Sequence, residues 1–123
     1  MTRLWRDPQH PDEAPEVIIS RDAVIVHLPL EGAEPPPTSW QRLYDELASG
    51  AAPPIPARML GHRIIVSVRR REGPDAVRNA LAGAAALIAE TDEKYRTLPD
   101  NDGPLRVAVS TWWQDYWNPA PGR

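Results

Sequence analysis

The sequence predicts an α+β fold: a ferredoxin-like split βαβ sandwich (βαββαβ) with an extra N-terminal strand and a C-terminal aromatic helical turn. Three observations predict it. Strand-like and helix-like patterns follow one another in that order along the 123 residues. The two most continuously apolar runs, 23–28 and 63–68, fall where this fold has its central strands. The run at 55–60 is short and follows prolines, as an edge strand tolerates.

Length and composition limit the classes of protein to which the chain can belong. It is long enough for one domain that buries roughly two thirds of its unfolded surface. Its lack of cysteine excludes a disulfide framework, a zinc–thiolate site and a cysteine nucleophile. We find no signal-peptide pattern and no apolar run near the roughly 20 residues of a membrane span, so we expect a soluble cytoplasmic protein without a membrane partner. The formal net charge of -3 is too mild to demand a nucleic-acid partner.

The chain opens with an arm and a strand-forming stretch. Residues 1–15 are polar and rich in proline, and we expect an extended N-terminal arm before a single α+β domain at 16–111. Residues 16–28 hold two β-branched runs separated at 20–22, which predicts either a hairpin or one bulged strand. Both faces of 23–28 are apolar, so we expect this strand to be covered on both sides, or on one side and by an oligomer contact.

Residues 38–50 predict a short helix. Its apolar residues recur at helical spacing on one stripe, and Gly50 is a good stop. Thr38 and Gln41 have the spacing of a capping box. The stripe consists of Trp40, Leu43, Tyr44 and Leu47.

A proline-rich connector at 51–57 leads to two strands joined by a tight turn. We interpret the connector as a linker rather than as a proline-rich ligand. Gly61 and His62 lie between two apolar runs, the setting of a two-residue type II′ turn with glycine first. The prediction is a strand at 57–60, a turn, and a strand at 63–69.

The clearest element is a long helix that starts near Pro74 and ends at Pro99. Pro74 suits the first helical position, and Asp75 suits the positive end of the helix dipole. Apolar residues recur along one helical face from Val77 to Leu98. A turn at 100–103 and a last strand at 104–111 complete the predicted fold.

Residues 112–123 are an aromatic C-terminal tail that we expect to pack on the domain or on a partner. It holds four of the eight aromatic residues of a chain that has no Phe. At about 100° per residue a short helix places all of them on one face, and Thr111 with Gln114 has capping-box spacing. The rings either close one end of the sheet as core or anchor a protein partner, including a second copy of the chain. They are Trp112, Trp113, Tyr116 and Trp117.

Residues suited to catalysis or metal binding form no pattern that we recognise. His10, His27 and His62 lack the spacing of metal ligands, so we expect neither a metal nor a cofactor. His27 would form a proton-transfer pair with an acid such as Asp115 only if the fold brought the two side chains together. Should the chain have a pocket between the sheet and the helices, its candidate lining residues are His27, Trp40 and Tyr95.

The only basic cluster consists of Arg69, Arg70 and Arg71. It follows a strand, where charged side chains are commonly solvated, and it is also a candidate contact for an anion or an acidic partner. A sheet that binds nucleic acid interleaves aromatic residues with such charges for base stacking, and 63–71 has none. Nucleic acid is therefore not the partner that we expect.

These features predict a small cytoplasmic protein-interaction module, with an accessory, regulatory or immunity-like role and no catalysis of its own. Its expected partner is another protein or itself, as a homodimer. The alternative is a cofactor-independent small enzyme or a small-molecule-binding domain with a pocket between sheet and helices. A deep pocket that holds a polar residue with a perturbed pKa would favour this alternative.

Overall fold

The computed structural model describes residues 2–97 and 102–118. They form a four-stranded antiparallel sheet and three α-helices, which confirms the predicted α+β class. The residues from 98 to 101 and from 119 to 123, where the sequence predicts the end of the long helix, part of a turn and the end of the tail, lie outside the described residues. The elements are β1 (Glu16–Ile19), β2 (Ala23–Pro29), α1 (Thr38–Gly50), β3 (Ala57–Leu60), β4 (Arg63–Arg69), α2 (Gly73–Thr97) and α3 (Asp102–Trp117).

The sheet has the strand order β1-β2-β4-β3, so β2 and β4 are central, as their apolar runs predict. β1 and β2 form an antiparallel hairpin, which selects the hairpin over the bulged strand. β3 and β4 occupy the predicted ranges and also pair antiparallel. Between them Gly61 has a φ of 61°, the left-handed conformation with which a primed turn begins.

The ferredoxin-like topology is not confirmed, and the last strand predicted at 104–111 is wrong. These residues belong to α3, which continues to Trp117. β1 pairs with β2 on the side away from β4, so it takes the neighbour position that a last strand would need. Leu105, Val109 and Trp112 follow a helical spacing that continues into the tail, and this longer pattern prevails over the short alternation at 105–109.

The core lies between one face of the sheet and the helices α1 and α2. α1 buries Trp40 and Tyr44, and α2 buries Ala84 and Ile88, so both predicted stripes face the sheet. The Tyr44 side chain is fully buried, and its hydroxyl donates a hydrogen bond to the carbonyl oxygen of Ala84 at 2.9 Å. Burial first, and the Asp45 carboxylate second, raise the pKa of the Tyr44 hydroxyl above its ordinary value.

The start of α1 differs from its prediction. Pro37 takes the N-cap position, and no side chain makes a capping hydrogen bond there. Thr38 is already helical, so its hydroxyl is not placed to cap. The side chain of Gln41 donates instead to the carbonyl oxygen of Pro36 at 2.8 Å. The capping box predicted for Thr38 and Gln41 is therefore wrong.

The two edges of the sheet are protected differently. At the β3 edge, the Asp45 carboxylate accepts a hydrogen bond from the backbone N–H of Met59 at 2.8 Å. At the opposite edge, the N-terminal arm covers only the end of β2, through a bridge between Leu4 and Leu30. β1 carries no comparable cover among the described residues, so it is an exposed apolar edge. Its apolar side chains are Val17, Ile18 and Ile19.

Candidate functional site

The four rings of the predicted aromatic tail lie at the surface of the protein. The exposed fraction is 60% for Trp112, 55% for Trp113, 60% for Tyr116 and 61% for Trp117. None of them belongs to the hydrophobic core or packs against it. The alternative in which the rings close one end of the sheet is therefore not what the structure has.

α3 extends the ring cluster into one long apolar face. Because α3 begins at Asp102, Thr111 lies inside the helix and the capping box predicted for Thr111 and Gln114 is wrong. In the preceding turns Leu105 and Val109 fall on the same side of the helix as the rings. We call this surface the aromatic face, and its members are Leu105, Val109, Trp112, Trp113, Tyr116 and Trp117.

The rings hold one another in place. Trp112 and Tyr116 stack with their centroids 5.4 Å apart. Trp113 meets Trp117 edge-on at 5.6 Å, and Tyr116 meets Trp117 edge-on at 5.1 Å. These separations are typical of favourable aromatic pairs. Because the rings already restrain one another, docking on them requires little further ordering of side chains.

The exposed ring area is comparable to the largest apolar patch of a typical monomer. A Trp or Tyr side chain presents roughly 150–250 Å². With 55% to 61% of each ring residue exposed, the four leave about 350–600 Å² in contact with water. Leu105 and Val109 are also exposed and enlarge this surface. The largest apolar patch on a typical monomer is roughly 300–600 Å² and is often functional.

A groove of about 840 Å³ separates α1 from the N-terminal half of α3. Leu105, Arg106 and Val109 line it from α3, and Arg42 and Leu43 line it from α1. The rings are not among its lining residues. The aromatic face therefore has two halves: an aliphatic half that forms a wall of the groove and a ring half that lies beyond it.

The candidate pocket residues His27, Trp40 and Tyr95 do not meet. Trp40 is buried in the core, where its Nε1 donates a hydrogen bond to the Asp92 carboxylate at 2.9 Å. The Tyr95 hydroxyl lies 3.0 Å from that of Ser39, near the start of α1. His27 is on the opposite face of the sheet, because both of its neighbours on β2 point into the core.

His27 instead lines a hollow of about 420 Å³ between the open face of the sheet and the N-terminal arm. Its Nδ1 lies 3.4 Å from Nη1 of Arg63, which in turn lies 3.9 Å from the Glu16 carboxylate. Trp5 supplies an apolar wall. Both members of the Arg63–Glu16 pair are more than half exposed, so the network is held only weakly.

The arm brings together three residues that sequence reasoning did not group. Asp7, His10 and Glu13 place one donor atom each within 4.8 Å of one another. Their regular spacing along the arm was the available signal. His10 Nδ1 lies 3.1 Å from an oxygen of Asp7. His10 and Glu13 are exposed, and exposed acidic groups often gather in this way without an ion, so we assign no metal centre here.

The arginine cluster has a further member. Arg69 ends β4, while Arg70 and Arg71 lie in the short 3₁₀ helix that follows, and all three are exposed. Arg70 donates from Nη1 to the carbonyl oxygen of Ser20 at 3.3 Å, which ties it to the β1–β2 turn. Arg21 in that turn joins Arg69 and Arg71 around a hollow of about 330 Å³. The sequence did not reveal this fourth cation because Arg21 is far from Arg69 along the chain.

Two findings limit what the chain resembles. None of the described helices is long and apolar enough to cross a membrane. Comparisons of the chain with protein-family models, with curated proteins and with solved structures gave no match.

Proposed function

We propose that the chain is a protein-interaction module that binds its partner through the aromatic face and performs no catalysis of its own. The observation that carries the proposal is the exposure of all four rings on one side of α3. Trp and Tyr are among the residues that most often dominate the binding energy of interfaces. An accessory, regulatory or immunity-like role suits a chain that exposes four aromatic rings on one side of a helix.

The magnitude of the ring area restricts the shape of the partner. Burying about 350–600 Å² supplies a gross apolar free energy of about 9–15 kcal/mol, at roughly 25 cal/mol per Å². Association costs about 4–15 kcal/mol before any affinity is observed. A partner that touches one or two rings therefore gains too little, whereas one that covers most of the aromatic face binds measurably. A concave partner surface is favoured over a flat one.

The polar side of α3 favours a protein over an anionic membrane as partner. Helices that lie in membrane interfaces carry Lys and Arg opposite their apolar face. Opposite the rings, α3 presents Val107, Thr111, Gln114 and Asp115. Asp115 is the only charged residue among these four, so this side of α3 offers no cation to an anionic membrane.

The test compares a ring variant with a control on the same helix. The ring variant is Trp113→Ala with Tyr116→Ala, and the control is Val107→Ala, whose side chain is also exposed but lies on the other side of α3. Each chain is immobilised, and we expect a binding protein to be retained on the parent and on the control but not on the ring variant. With the purified partner, calorimetry should give an affinity at least about thirtyfold lower for the ring variant. Equal affinity for all three chains would remove the aromatic face as the docking site.

A small-molecule-binding role is the second candidate, and the hollow beside His27 is the observation that favours it. Its volume of about 420 Å³ falls in the range of small-molecule sites, roughly 300–1,000 Å³. The space between the sheet and α1 and α2, by contrast, is filled by the core. A ligand that raises the melting temperature of the parent but not of Arg63→Ala would support this role. No ligand-dependent shift across a broad metabolite panel would count against it.

A further inference from the structure

We propose that the partner of the aromatic face is a second copy of this chain, and that the two α3 helices pair antiparallel around a twofold axis between residues 110 and 111. The inference rests on the proposed function, because it takes the aromatic face to be a docking surface. It adds the identity of the partner, the direction of pairing and the contacts. Three features of α3 and of the groove beside it lead to this proposal.

The first feature is the unequal distribution of volume along the helix. The N-terminal half of the aromatic face is aliphatic, with Leu105 and Val109, and the C-terminal half carries all four rings. Antiparallel pairing sets Leu105 level with the partner's Tyr116, and Val109 level with the partner's Trp112. Large side chains then meet small ones, as close packing of two surfaces requires. Parallel pairing would instead force four rings against four rings.

The second feature is the groove between α1 and α3. The aliphatic half of the aromatic face is one wall of this groove of about 840 Å³. An antiparallel partner brings its ring half to that level, so the rings of each chain are seated in the groove of the other. A space of this size accommodates several rings, since small-molecule sites of roughly 300–1,000 Å³ hold ligands of comparable bulk. The groove is the concave surface that a partner needs in order to cover most of the rings.

The third feature is the position of the cations. Trp113 and Trp117 lie on the same flank of α3 as Arg106, and Arg106 lines the groove. In an antiparallel pair like flanks meet, so the partner's Trp113 and the partner's Trp117 arrive on either side of Arg106, with Arg42 on the facing wall. Guanidinium groups beside indole faces gain cation–π attraction. A parallel pair would join unlike flanks and leave both grooves empty.

The buried area distinguishes this surface from the other apolar surface of the chain. Each ring half covers about 350–600 Å² and hides a similar area of the opposing groove, so each chain loses about 700–1,200 Å², which matches the roughly 800 Å² per partner of a stable interface. β1 offers three aliphatic side chains that are 46% to 61% exposed. They amount to less than about 300 Å² per chain, below what a specific dimer needs.

The experiment exploits the absence of cysteine from the chain. Val109→Cys and Trp112→Cys are purified separately, mixed and oxidised. The antiparallel pair sets these two positions opposite each other, so we expect the mixture to give several times more disulfide-linked dimer than either variant alone. The matched control is a mixture of Val107→Cys and Gln114→Cys, which lie at equal levels on the outer side of α3 and should not link.

Solution mass provides the second measurement. At tens of micromolar the parent and Val107→Ala should show twice the 13.7 kDa mass of one chain, and Trp113→Ala with Tyr116→Ala should show a single mass. Linking within each cysteine variant alone, without a gain on mixing, would overturn the antiparallel arrangement. A parent that remains a single chain at all concentrations would overturn the second copy as partner. If such a single chain still bound another protein through its rings, the proposed function would be retained. If it bound no protein through its rings, the second copy as partner and the proposed function would both be rejected.

Discussion

Shortening the chain so that it ends at Thr111 should leave the fold of the single chain intact. Were the four rings part of the core, losing them would cost about 3–5 kcal/mol each, a total that equals or exceeds the roughly 5–15 kcal/mol that stabilises most domains. The rings are 55% to 61% exposed and their remaining contacts are largely with one another. We therefore expect the free energy of unfolding of the single chain to change by less than about 1 kcal/mol.

The assay is urea unfolding followed by far-ultraviolet circular dichroism, because the shortened chain lacks three of the five Trp residues that fluorescence would report. Measurements at two protein concentrations separate folding from association. The parent should become more stable at the higher concentration, by about 2.7 kcal/mol at a hundredfold excess over the dissociation constant. The shortened chain should show no such dependence. Leu87→Ala, at a position only 3% exposed, is the calibration and should lose about 2–5 kcal/mol at either concentration.

Two results would refute this reasoning. If the shortened chain fails to fold, or loses as much stability as Leu87→Ala at the lowest concentration, the rings support the domain and are not a free docking surface. If instead it keeps the concentration dependence of the parent, the association uses another surface. In the first case the search for function should move to the open face of the sheet and the hollow beside His27.

Three further outcomes are expected. Because the pKa of Tyr44 is raised on folding, the stability that its neutral hydroxyl contributes is present below about pH 10 and is lost as the pH rises further. Tyr44→Phe should cost about 1 kcal/mol at neutral pH, because it removes the hydrogen bond to Ala84. The stabilities of variant and parent should become equal near pH 11, and parallel pH curves would contradict this. Asp45→Ala should cost about 1–2 kcal/mol and speed amide exchange at Met59; unchanged exchange would show that the β3 edge is protected otherwise. The chain should be retained only weakly on immobilised single-stranded DNA and should be released at moderate salt. Salt-resistant retention that vanishes when residues 69–71 are replaced by Ala would contradict the prediction that the arginine cluster does not bind nucleic acid.

The sequence predicts elements well where strong local signals bound them. β3 and β4 fall at their predicted ranges because prolines precede the first and glycine fixes the turn between them. Residues 104–111 predict a strand because Leu105, Val107 and Val109 alternate with smaller or polar residues, whereas only Leu105 and Val109 of these three fit the helical face. The choice between strand and helix for these residues also depended on a distant segment, because β1 occupies the position beside β2 that a last strand would need.

The candidate site shows the same division between local and long-range information. Helical spacing alone placed the four rings on one face, but their exposure depends on where α3 sits relative to α1, which no local pattern reports. The separation of His27 from Trp40, by contrast, is predictable from the sequence. Strict alternation along β2 sends His27 away from the side that its two neighbours share, and the helices can cover only one of those sides.

The pairing of ring half with groove raises one structural question, because these are two different surfaces of the same chain. A surface that fits a different surface on the next copy can generate an open filament, whereas a twofold arrangement satisfies both surfaces within two chains. The antiparallel geometry is of the closed kind, since each α3 gives its ring half and receives the other within one pair. Sedimentation velocity at rising concentration should therefore show the mass levelling at twice the 13.7 kDa of one chain. Continued growth beyond two chains would mean that the rings dock head-to-tail, and the twofold axis between residues 110 and 111 would have to be abandoned.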